Sequence, residues 1–392
     1  MSAPRTAHST AESAAESTVQ SPAGHPSGSP AEHPDPASSS APRRSLRIGF
    51  ATQVEHTGIS VDGAWVRSRG LADGIELFQE AEDLGFDVGY LRSRHLQDTV
   101  SSPLIVLAAL GQRVRRMELG TAVIPLRFEN AGRLAEDLAT ADLLLEGRLR
   151  PGVSSGYSAK DAVNVEAFGH VRGEIGEHVD RVLAQLLALL DGDIVGTADE
   201  HVEGVDAGTP LRIRPQVPGL RGRIAYGAAS PDRAARAGAA GMHLQLATMA
   251  PEDGSGRSFE QLQLEALRAY REASRTAGHG DGHVLVSRQM IPVADEQQLE
   301  RFMTLIPRER SKVAGTSTEY RGTEIGGRAA VYSQVVIDDP GVVAQALVAD
   351  AVVHEADELA LVLPFGAETA EQRMVLRTFA QQVVPHLAGS IL

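Results

Sequence analysis

From Leu46 onward, short apolar runs alternate with longer amphipathic stretches. The runs are Leu46–Ala51, Asp87–Leu91, Met117–Val123, Arg148–Ser154, Arg223–Gly227, Met242–Ala247, Val284–Ile291 and Glu358–Leu363. They are short and free of internal turn signals, the pattern of a strand covered on both faces. Between them, apolar residues recur at helical spacing. Leu134, Leu138, Ala141 and Leu145 share one face; Val179, Leu183, Leu186, Leu187 and Leu190 share another. Near the end, Leu376, Phe379, Ala380, Val383 and Leu387 repeat the pattern. Strict alternation of eight such strands with helices predicts an α/β fold of the (β/α)8 TIM-barrel type. Two stretches exceed a minimal barrel, Asp191–Leu220 and Val293–Asp339. The second is an insertion after strand seven, polar and Gly-rich, expected over the carboxyl face as a lid. A doubly wound open sheet competes, but the Gly49–Gln53 segment after strand one lacks its glycine fingerprint.

Composition adds boundaries. Residues 1–45 are rich in Ser, Ala, Pro, Glu and His and almost empty of large apolar residues. Such a segment cannot offset its ordering entropy, so a disordered tail is expected there and the barrel domain over 46–392. The formal net charge of −14 argues against a nucleic-acid partner. The absence of cysteine excludes disulfides and thiolate chemistry. No apolar run reaches membrane-spanning length. Arg43-Arg44 suggests an export signal, but polar residues break the segment after it, so a cytoplasmic protein is expected.

Ligands of parallel α/β folds bind at the carboxyl ends of the strands. Strand three ends in Gly120-Thr121-Ala122, and strand four in Ser154-Ser155-Gly156-Tyr157. Strand five ends in Gly227-Ala228-Ala229-Ser230, directly before a helix beginning at Pro231. A helix N-terminus offers free N–H groups to a phosphate, although Ser followed by Pro is also an ordinary cap. Strand two ends in Arg92-Ser93-Arg94-His95. A histidine there can move a proton near neutrality, and Arg94 can hold an anion or form a salt bridge. Gln53, His56 and Trp65 follow strand one and are weaker pocket candidates. Gly152, Ser154 and Gly156 also fit a hydrolase nucleophile elbow, with Asp350, His354 or His386 as triad partners. An elbow must turn straight into a helix, and no helical apolar stripe follows Ser154.

Five patches, in order along Leu46–Leu387, resemble the bacterial luciferase-like flavin monooxygenases. They are LADGIELFQEAEDLGFDVGYLRSRH, SSPLIVLAALGQRVRRMELGTAVIPL, RLAEDLATADLLLEGRLRPGVSSGY with EAFG, RIAYGAASPDRAARAGAAG, and DELALVLPFG. The resemblance implies reduced FMN (FMNH2), or F420 in one branch, bound at the carboxyl face. It implies a small organic substrate with O2, a separate NAD(P)H:flavin reductase and a homodimer. It places the flavin phosphate at Gly227–Ser230 and the ring over Gly120–Ala122 and Ser154–Gly156, with Tyr157 as a hydrogen-bond partner of flavin or phosphate. It also implies a cis peptide at Thr121-Ala122 or Ala122-Val123, and makes His95 and Arg94 the catalytic candidates. The chain departs from luciferase at Ser154, Ser155 and Arg94, where that protein carries cysteine, arginine and histidine. Hence a non-catalytic flavin-binding partner subunit is a further reading. Dimer contacts are expected from Ile105, Leu107 and Leu110 on helix two and Leu143 and Leu144 on helix three.

Overall fold

Continuous β-branched and leucine-rich runs without room for a polar face must be covered on both sides. Each of the eight expected runs forms one strand. The computed structural model describes residues 45–57, 59–62, 65–156, 161–171, 173–201, 204–306, 320–325 and 328–392. The strands are β1 (Arg47–Thr52), β2 (Val88–Leu91), β3 (Glu118–Thr121) and β4 (Leu149–Arg150 and Gly152–Ser154). They continue with β5 (Ala225–Gly227), β6 (His243–Leu246), β7 (Val284–Pro292) and β8 (Glu358–Val362). All neighbours pair in parallel, and β8 returns to β1 with Glu358 opposite Arg47, which closes the barrel. The break in β4 falls at Pro151, which has no N–H to give to a ladder.

The covering helices are α1 (Arg69–Asp83), α2 (Pro103–Leu110), α3 (Ala131–Leu144) and α4 (Ile175–Leu190). After them come α5 (Pro231–Ala239), α6 (Phe259–Thr276), α7 (Pro340–Ala349) and α8 (Thr369–Thr378). The expected apolar stripes face inward: Leu134, Leu138, Leu145, Val179, Leu186, Leu376, Phe379, Val383 and Leu387 are all buried. Leu107 and Leu110, expected at a dimer contact, are also buried. They are the single inward stripe that a short helix needs, so of the expected contact residues only Ile105, Leu143 and Leu144 remain exposed.

The long connections carry structure of their own. An antiparallel hairpin, Ile59–Asp62 with Trp65–Ser68, follows β1. After β7 come a helix at Glu296–Leu305 and an antiparallel pair, Tyr320–Ile325 with Arg328–Tyr332. That pair adds to Met249–Pro251, just beyond β6. The strand Val335–Asp338 then lengthens β7 by pairing with Gln289–Pro292. The expected tail falls almost wholly outside the described residues, as do Tyr157 and the central part of the expected lid. Among the described residues no helix is long and apolar enough to cross a membrane.

Candidate active site

Side chains along a strand alternate between faces, so each barrel strand contributes every second residue to the interior. Val88 and Tyr90 of β2, Ala51 of β1, Leu285 of β7 and Ala360 and Val362 of β8 form one such interior cluster. At the amino end the interior is ionic. Arg47 Nη2 and Glu118 Oε2 are 2.6 Å apart, and Arg150 reaches the same carboxylate at 2.5 Å. Glu358, 1% exposed, faces His283 at 3.2 Å. This end is closed and balanced in sign.

One layer higher, the interior is filled to the limit. A Cβ on Gly120 would lie 2.5 Å from the Tyr90 ring, and one on Gly152 would lie 2.5 Å from Gln245 Nε2. The Thr121 hydroxyl donates to the Gly152 carbonyl and accepts from the Gly152 N–H. Gly120 and Thr121 therefore lie beneath the floor of the mouth, and the threonine hydroxyl is committed to joining β3 to β4.

Continuing the alternation gives the residues of the mouth itself: Gln53, Arg92, Ala122, Ser154, Gly227 and Ala247. In contrast to the layers below, none of these is buried. Four consecutive strands, β3 to β6, thus present small residues. A Cβ on Gly227 would come within 3.3 Å of Ser154 Cβ and Val123 Cγ1, so glycine keeps this floor open. The peptide between Ala122 and Val123 is cis, at the place the resemblance implied. Ser93 Oγ donates to the Val123 carbonyl at 3.0 Å, which fixes that segment to the end of β2. Beyond Ser154 the chain turns away. Gly156 takes a φ of +72° and donates to Ser154 Oγ at 3.2 Å. Ser155 is exposed and bonds to the Tyr226 hydroxyl.

On the β5 side, Ser230 is the N-cap of α5; its hydroxyl oxygen accepts from Arg233 N at 3.4 Å. The hydroxyl proton is left for another acceptor. Ala228 is buried, while Gly227, Ala229 and Ser230 are partly accessible. Asp180 of α4 holds the Arg233 guanidinium, which keeps that cation beside the turn.

On the β2 side, His95 sits edge-on between Phe128 (5.0 Å) and Phe168 (4.8 Å). Burial lowers its pKa, so the ring is neutral at pH 7. Its Nε2 is buried without a hydrogen-bond partner among the described residues. Such an orphaned polar atom is rare in a packed interior and points to a group that arrives later. Phe168 comes from a helix at Asp161–Phe168, which the sequence reading did not expect. Eight residues are too few for an apolar stripe to be visible, and Phe168 serves the histidine and not a core. The Arg94 N–H donates to the Val100 carbonyl, while its side chain has no ion pair among the described residues. Arg92, passed over in the sequence as a strand end, lies 4.1 Å over the Phe365 ring. The alternation that puts Tyr90 inside was the signal that marked it. Gln53 and His56 are half-buried beside β1; the Trp65 side chain falls outside the described ones.

The hydrolase constellation is not assembled. Asp350 pairs with Arg288 at 2.6 Å and caps the N–H groups of Val352 and Val353. The His354 ring engages the Val348 carbonyl. Among the described residues no group of histidines and carboxylates is placed to hold a metal.

A family model described as luciferase-like monooxygenase matches residues 46–353. The chain belongs to that family. One relative, an F420-dependent glucose-6-phosphate dehydrogenase of Kribbella flavida, is 27% identical over 243 residues, which cover 60% of this chain and 65% of that protein. The chain spans less than two thirds of the length of each curated relative it matches. Monooxygenase RslO1 of Streptomyces bottropensis superposes with a TM-score of 0.62 at 19% identity, covering 88% of this chain and 100% of that one. The oxygenating constituent of 3,6-diketocamphane monooxygenase from Pseudomonas putida, solved with FMN, gives 0.59 at 16% identity, covering 87% and 98%. These likenesses show the barrel fold of the family.

Proposed function

We propose that this chain is the oxygenating component of a two-component flavin monooxygenase. Reduced FMN is delivered by a separate NAD(P)H:flavin reductase, and O2 and a small organic molecule are the substrates. The observation that carries the reading is the run of small residues on β3 to β6 beside the Ser230-capped first turn of α5. A planar ring fits against Ala122, Ser154, Gly227 and Ala247, and a phosphate fits where the ring's tail would end. The Ser230 hydroxyl donates to that phosphate, and the first-turn N–H groups of α5 add their dipole. Bound reduced flavin would supply the two electrons that oxygen activation needs.

The chain's own residues do the rest. Phe128 and Phe168 shield His95 from water, which keeps its imidazole neutral. A neutral Nε2 without a partner can accept a proton from the substrate or the cofactor, or return one. Arg94 beside it biases the site toward negative charge. A homodimer is the expected assembly.

F420-dependent hydride transfer is the second reading, and the Kribbella relative favours it. Anaerobic titration with reduced FMN and, separately, reduced F420 decides between them. Tight binding of reduced FMN, with the bound flavin reacting with O2 once air is admitted, supports the first reading; binding of F420 alone replaces it with the second.

A further inference from the structure

Several buried and half-buried guanidiniums among the described residues are matched to carboxylates, while that of Arg148 donates to the Met117 carbonyl. Arg47 and Arg150 share Glu118, Arg223 meets Asp142, Arg271 meets Asp357 and Arg288 meets Asp350. Arg92 departs from that pattern. It is half-buried, and among the described residues no carboxylate pairs with it. Its guanidinium rests on the Phe365 ring, a contact that fixes its plane without neutralising its charge. Burial, with Arg94 adding like-charge repulsion, pushes its pKa down to about 10. Two neighbouring cations thus stand at the mouth with no carboxylate paired to them among the described residues. A half-buried unpaired charge is costly, and the cost is relieved when an anion arrives.

The anion is not the flavin phosphate placed above. Arg92 follows β2 and Ser230 follows β5, with β3 and β4 between them. Directly after Arg94 in the chain stands His95, packed with Phe128 and Phe168, and Phe365 lies beneath Arg92. A cationic end beside aromatic walls defines a ligand with a charged head and an apolar body. Resting on the reading of this mouth as the substrate site, we infer that Arg92, with Arg94, takes the carboxylate of a small organic acid whose body is aromatic or apolar. A guanidinium fork matches a carboxylate in two parallel hydrogen bonds.

The test uses the full chain and pairs of probes alike in shape and unlike in charge: benzoate against benzamide, and phenylacetate against phenylacetamide. Binding is read by calorimetry with and without FMN. The acids are expected to bind about tenfold or more tighter than their amides, as charge-assisted pairing implies. Arg92→Met is expected to erase that preference, while Arg113→Met, an exposed arginine outside the mouth, preserves it. FMN affinity of Arg92→Met, measured separately by fluorescence, should equal that of the unmodified chain. Equal binding of acids and amides, binding of neither, or a preference that survives Arg92→Met would overturn the assignment. A loss of FMN affinity in Arg92→Met without acid preference would instead make the arginine a flavin contact. Failure of the unmodified chain to bind any flavin would remove the proposed function, and the acid-against-amide comparison still reads independently of it.

Discussion

Thr121 and Gly152 satisfy each other completely across two strands. The threonine hydroxyl donates to the glycine carbonyl at 2.8 Å and accepts from the glycine N–H at 2.9 Å. The pair lies directly after Pro151, where the ladder of β4 is interrupted, so a side chain stands in for the missing backbone bonding. Thr121→Val keeps the shape and strands two buried backbone groups. Unfolding in urea should show a loss of about 2–4 kcal/mol, with Thr121→Ser recovering most of it. A valine variant as stable as the parent would mean that water replaces the hydroxyl.

At the phosphate turn, two substitutions separate a cap from a binding site. Ser230→Asp keeps a good N-cap but puts a negative charge where the flavin phosphate is placed. It should abolish FMN binding while leaving the melting temperature near its starting value. Ser230→Ala should weaken FMN about ten- to a hundred-fold through one lost charge-assisted bond. FMN affinity unchanged in the Asp variant would move the phosphate elsewhere.

Acid sensitivity should come in part from the closed end of the barrel. Burial pushes the His243 imidazole down to about 3, and the His283 ring and Arg150 push the same way. The unfolded chain takes up this proton near pH 6.5, whereas the folded chain refuses it, so stability falls as pH drops below that value. One such proton contributes a slope of about 1.4 kcal/mol per pH unit. His95, also lowered by burial, adds in the same direction. Urea midpoints between pH 6.5 and 5 should drop less steeply in His243→Gln. Parallel curves for the two proteins would refute this origin.

Exposed apolar residues on the outer helices carry the dimer expectation. Ile105 is 73% exposed, Leu143 55% and Leu144 48%. Ile105→Arg and Leu144→Arg should lower the sedimenting mass of a dimer toward that of one chain, without a change in the far-ultraviolet spectrum. A chain that sediments as a monomer before any substitution would contradict the expectation.

The barrel was legible because its strands are covered on both faces and so read as short, mostly apolar runs. Ends were less sharp: β3 stops at Thr121, two residues before the expected end, where the chain turns through the cis peptide. The hairpin at Ile59–Ser68 and the added strand Val335–Asp338 were missed, because short pairs at an edge lack a distinguishing period. At the site, Ala122, Ser154, Gly227 and Ser230 could be named from strand ends alone. The inward place of Arg92 could be read from the alternation, but not its lack of a partner, since a guanidinium in sequence says nothing about whether a carboxylate waits opposite it. His95 was named, but the two phenylalanines that isolate it come from distant segments.

Cations confined to the mouth of a chain with a formal charge of −14 have a kinetic consequence. An organic anion diffusing in from afar meets repulsion before it meets Arg92. The range of that far field shrinks from about 30 Å at 0.01 M salt to about 8 Å at physiological ionic strength. The sheltered contact at the mouth is screened far less. Added salt should therefore quicken capture of such an anion while hardly hastening its escape, the reverse of the usual behaviour of oppositely charged partners.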